Sequence, residues 1–155
     1  MMVDLTYIFA QAYALSLLSM ILAWLIYLLI KNPGIVDFFW PLSIFVCGCS
    51  YFFQLSNFHN THLVYFILLV LWAARLSLYF LVTRIIPNHK EQRYLYLASK
   101  ATQKPPILFL LHYILQSIFC FVMAIPFYFL FHTPAKPLNT LDTIGIIIIV
   151  LGMIN

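Results

Sequence analysis

The stretch LVYFILLVLWAARLSLYFLVTRII, residues 63–86, decides the fold. It is long and apolar enough to cross a bilayer as a helix, which takes about 20 residues. It carries two charges: Arg84 near its end, at the expected interface, and Arg75 well inside it. A charged group at bilayer depth costs roughly 2.5–3.5 kcal/mol on insertion scales. Thirteen Leu, Ile, Val and Phe residues between Leu63 and Val82 oppose that cost, each by about 0.3–0.6 kcal/mol. The segment therefore inserts, and the folded protein must still receive a guanidinium.

Working outward, four further apolar runs appear: Leu5–Ile30, Ile35–Leu55, Ile107–Phe131 and Leu141 to the end. Only 8% of the 155 residues are charged and 65% are hydrophobic, whereas a soluble domain carries about 25% charge. The expectation is a single all-α domain over 1–155, a polytopic transmembrane helical bundle with about five membrane helices. Pro33-Gly34 marks a tight turn between the first two. The last run is about 22 Å long at 1.5 Å per residue, short of a roughly 30 Å hydrocarbon core. It stops without a cap or a basic residue, so the last helix reads as truncated and the chain as the N-terminal part of something longer.

Basic residues set the expected topology. Lys31 occupies the first turn, and Arg84, Lys90, Arg93, Lys100 and Lys104 lie in or beside the third connector, Pro87–Pro106, against Glu91 alone. The other side holds Lys136 with His59, His62 and His132. Positive charge stays cytosolic, which places the N-terminus outside. The N-terminus lacks the basic region of a cleavable signal. A bacterial inner membrane is expected, or the endoplasmic reticulum in a eukaryote. The basic connector reads as a topology signal or a surface for anionic headgroups, or as a rim for a phosphate-bearing cofactor. The expected partners are bilayer lipid and a lipid substrate, not nucleic acid.

Cys47, Cys49 and Cys120 lie in apolar runs without a metal-type spacing. His59-x-x-His62 lacks an evident third ligand, so no metal site is expected. His112 reads as a packing residue. Asp37, one turn into the second helix, is either a carboxylate favoured by the helix dipole or a group lining a cytosol-facing cavity. Arg75 shares a helical face with Trp72 and Tyr79, read either as a packing face or as a pocket wall. Asp37 and Arg75 differ in depth by about 9 Å at 1.5 Å per residue, so they are not expected to pair.

Several motifs resemble the steroid 5-alpha-reductase-like membrane proteins, especially their bacterial branch. They are Ile35-Val36-Asp37-x-Phe39-Trp40, Leu71-Trp72-Ala73-Ala74-Arg75-Leu76-Ser77-Leu78-Tyr79 and Glu91-Gln92-Arg93-Tyr94. Leu115-Gln116 with Ala124-Ile125-Pro126, and Leu151-Gly152-Met153-Ile154-Asn155, complete the set. Lys90 departs from the branch's usual acidic residue, and the family's C-terminal cofactor region has no counterpart here. The resemblance implies reduction by NADPH of a carbonyl-conjugated C=C bond in a steroid-like or other lipid. It implies catalytic roles for Asp37 and Tyr79, and a protonated, donating carboxyl on Asp37. It further implies cofactor contacts from Arg75, Arg84, Arg93, Tyr94 and Asn155, and a substrate slot lined by Phe39, Trp40 and Trp72. A membrane methyltransferase of the isoprenylcysteine or phospholipid type, or a small non-catalytic membrane subunit, are the alternatives.

Overall fold

A computed structural model describes residues 4–55, 57–100, 104–134 and 137–154. They form six α-helices: α1 (Leu5–Ile30), α2 (Ile35–Phe53), α3 (Asn60–Phe80), α4 (Gln92–Lys100), α5 (Pro105–His132) and α6 (Thr140–Ile154). No strand occurs among the described residues. In hydrocarbon every backbone polar group must be satisfied internally, and a helix does so within one segment. Helices α1, α2, α3 with its continuation to Ile85, and α5 are long and apolar enough to cross a membrane.

Two expectations are corrected. Among the described residues four helices, not five, are candidate spans: the fifth expected segment forms α6, a shorter apolar helix of fifteen residues that buries no side chain. The connector 87–106 is not simply a loop. Residues 92–100 form α4 because Tyr94, Leu97 and Ala98, spaced i, i+3, i+4, turn one face to the core, the helical amphipathic pattern.

Helix α2 is the hub, packed against α1, α3 and α5. Its junction with α1 and α5 is built from small residues. Ser16 Oγ lies 2.9 Å from Ser43 Oγ and donates to the Ser117 carbonyl at 2.8 Å. Cys47 Sγ donates to the Ala12 carbonyl at 3.2 Å, and Cys120 Sγ reaches the Trp40 carbonyl at 3.6 Å. Small side chains let membrane helices approach closely, and hydroxyls then bond across the gap. The two buried cysteines thus serve as small packing groups.

The end of the bundle where α1 passes to α2 is set by Lys31, which adopts a left-handed conformation (φ 55°) and donates its N–H to the Tyr27 carbonyl. Asn32 Oδ1 then accepts from Gly34 N at 2.9 Å, an Asx turn that starts α2. Tyr113 Oη from α5 donates to the Pro33 carbonyl at 2.7 Å, fixing the turn against the third wall of the bundle.

Candidate functional site

Asp37 enters the first turn of α2 directly from that turn. Arg84 approaches it because α3 does not end as an α-helix. Leu81–Ile85 forms a π turn, a widened coil often found at functional positions. The chain after it is drawn back: His89 N donates to the Arg84 carbonyl at 2.9 Å. Asn32 Nδ2 faces that same carbonyl at 3.3 Å and Asn88 Oδ1 at 3.2 Å. Asn32 is 1% exposed, so this amide ties the α1–α2 turn to the end of α3. Sequence reading missed it, since an Asn before Pro-Gly reads as turn chemistry alone.

The charged side chains close into a ring. Asp37 Oδ2 lies 2.5 Å from Arg84 Nη1 and 2.6 Å from Arg93 Nη2. Glu91 completes it, with Oε1 2.6 Å from Arg84 Nη2 and Oε2 2.6 Å from Arg93 Nε. Two carboxylates alternate with two guanidiniums, a formal sum of zero. Tyr94 Oη donates to Asp37 Oδ1 at 3.0 Å. Arg84 stacks over the Phe80 ring and Arg93 over the Tyr94 ring, at 4.4 and 4.6 Å to the centroids. Burial, then the charge of Asp37, push the Tyr94 phenol above its ordinary range. Burial opposes the charge on Arg93, but Asp37, Tyr94 and Glu91 together outweigh it, and the guanidinium is held more firmly protonated than a free one. Asp37 is here an acceptor from three donors, which corrects the expectation of a donating carboxyl.

A cavity of about 430 Å³ opens beside the ring, bounded by Asp37, Arg93 and Tyr94 and, from α5, His112 and Gln116. Those two stand one helical turn apart, and neither has a hydrogen-bond partner among the described residues. His112 packs edge to face against the Tyr94 ring, 6.0 Å between centroids, so it is a packing residue that also borders the cavity. Trp40 lines this cavity and also a second, apolar one of about 320 Å³, shared with Trp72, Met123 and Phe127. The two indoles meet edge to face, their centroids 6.5 Å apart.

Of the residues singled out in the sequence, Asp37, Arg84, Arg93 and Tyr94 come together, and Trp40 and Trp72 line the apolar slot. Phe39 lines neither cavity; it is buried in the core beside Phe38. Arg75 and Tyr79 also line neither. The inward face of α3 carries Leu69, Ala73 and Ser77. Arg75, two residues beyond Ala73, is rotated about 200° from it at about 100° per residue. Both Arg75 and Tyr79 are exposed, which corrects their placement on a pocket wall with Trp72. Arg75 does not meet Asp37. Asn155 and Lys136 lie outside the described residues. At the opposite end, His59, His62 and His132 border one cavity, and among the described residues no group of three or more His, Cys, Asp or Glu side chains is arranged to hold a metal.

No curated protein and no solved structure matches the chain. A family model does, over residues 23–155, a stretch that takes in α2 to α6 and with them the ring, both cavities and Arg75. On that match the chain belongs to DUF1295, a protein family described as of unknown function.

Proposed function

We propose that this chain forms the lipid-holding part of a membrane oxidoreductase that reduces a carbonyl-conjugated C=C bond. The observation that supports it is the pair of cavities meeting at Trp40, one apolar and one polar. An amphiphile laid across Trp40 keeps its hydrocarbon body between Trp40 and Trp72 and its carbonyl beside His112 and Gln116. Donors aimed at that oxygen stabilise the enolate charge that develops when a conjugated double bond is reduced. DUF1295 is associated with steroid 5-alpha-reductase-like proteins, in keeping with the sequence resemblance. The basic ring end is proposed to face the cytosol, as the lysines around it favour.

NADPH, proposed as hydride source from the resemblance, supplies a hydride to the beta carbon when bound. Arg84 and Arg93 do not fit its phosphates. Each guanidinium is already closed on Asp37 and Glu91, and a phosphate would have to displace a carboxylate from both. The reading therefore rests on the lipid cavity.

The test follows the enone ultraviolet band of a 3-oxo-4-ene steroid in native membranes given NADPH. The expected result is loss of the band, slowed at least about tenfold (about 1.4 kcal/mol) by the double substitution H112L/Q116L. An unchanged band with the protein present and folded would sink the proposal. A second reading, a non-catalytic membrane subunit in which the ring is a latch, is favoured by the ring's complete charge matching. It predicts that H112L/Q116L has no chemical consequence.

A further inference from the structure

Arg75 stands apart from every other described charge. Its backbone lies about 14 Å along the helix from Arg84 and about 22 Å from Asn60, at 1.5 Å per residue, well inside the span Asn60–Ile85. It is exposed, and no carboxylate among the described residues reaches it. Around it lie Leu71, Leu78 and Val82, each more than half exposed, and the small Ala74, also exposed.

Lipid headgroups are poorly placed to receive it. A helical side chain leans toward its own N-terminus, and for Arg75 that direction leads away from the nearer interface at Arg84. The chain's own acids are committed elsewhere. There are four. Asp4 caps α1, and Asp37 and Glu91 are in the ring. Asp142 accepts from Asn139 N at the start of α6, and it borders a cavity with Tyr65, ten residues and about 15 Å from Arg75. A second copy of residues 1–155 therefore brings no carboxylate to this depth.

We propose that the outer face of α3 docks a transmembrane helix from outside residues 1–155 that presents one Asp or Glu at the depth of Arg75. Ala74 lets the partner backbone approach, and the guanidinium and carboxylate meet where neither can reach water. Charged groups within membrane spans pair with one another in this way.

The experiment places the full chain in lipid vesicles with a leucine-rich transmembrane peptide carrying a single central Asp, and reads association by energy transfer. The Asp peptide is expected to bind about tenfold more tightly than the all-leucine peptide (about 1.4 kcal/mol). That preference is expected to vanish in R75L and to persist in R75K. Equal binding of the two peptides, or a preference that survives R75L, overturns the proposal. R75L is expected to melt at the temperature of the native chain; a lowered melting temperature would reveal a partner inside the chain and would also overturn it.

Discussion

Asp37 and Arg84, 47 positions apart in sequence, meet at 2.5 Å where α2 begins and α3 unwinds into its π turn. Their side chains are 14% and 22% exposed, so water reaches the pair only in part. The two ends of the α2–α3 hairpin are thereby locked across the connector that α4 occupies.

Asp37→Leu leaves two guanidiniums without one of their carboxylates, whereas Arg93→Gln removes the ring's most exposed member, at 55%. Losing one partner of a well-buried pair costs about 3–5 kcal/mol and of an exposed pair about 0–1 kcal/mol. The Asp37 substitution is expected to cost about 2–3 kcal/mol between those limits, and Arg93→Gln about 1 kcal/mol or less. Unfolding in mixed micelles by denaturant would rank them; the reverse order would contradict the ring as drawn.

Asn32→Ala strips the buried Gly34 amide of its side-chain acceptor and the partly buried Arg84 carbonyl, which keeps the His89 N–H, of a second donor. Leaving buried polar groups unpaired costs about 1–3 kcal/mol. The expected signature is local: faster tryptic cleavage at Lys90, in the segment that Asn32 holds, with the four long helices intact by circular dichroism.

Tyr94→Phe tests the phenol's bond to Asp37. The folded state holds the Tyr94 proton more tightly than the unfolded chain does. Its contribution is therefore complete below the free tyrosine pKa of about 10 and declines as pH rises above that. The stability difference between the native chain and Y94F should be constant from pH 7 to about 9 and narrow beyond about 10. A difference that widens with alkalinity would show the opposite sign.

Gly48 sits where α2 crosses α3. A Cβ there would come within 2.3 Å of Leu69 Cδ2, so Gly48→Ala must push that side chain aside. Overpacking of this kind costs about 1–3 kcal/mol. Leu69→Ala opens the space, and the double variant is expected to be less destabilised than the sum of the singles. Strict additivity would place the two apart.

The bundle was legible in the sequence because a membrane span declares itself through length and continuous apolarity, as in residues 63–86. Asp37 stood out for the same reason, as a charge against an apolar background. The ring did not: Arg93 and Asp37 are 56 positions apart, and α4, which carries Arg93 and Tyr94, is nine residues of mixed polarity whose helical face exists only against the core. Arg75 was misplaced because i, i+3, i+4 spacing fixes which residues neighbour one another on α3, not which side of α3 meets α2. His112 and Gln116 meet the other polar groups in a cavity lined by four helices, α2, α3, α4 and α5, and no linear pattern encodes that.

The self-cancelling ring also decides which groups speak for this end of the molecule at long range. With both arginines matched, the unbalanced positive charge belongs to Lys31, Lys90, Lys100 and Lys104, all exposed. Attraction between those ammonium groups and acidic phospholipid fades over a Debye length of about 8 Å at physiological ionic strength, while contacts at 2.5–2.6 Å inside the ring do not. Added salt should loosen the protein's preference for anionic bilayers long before it loosens the hairpin.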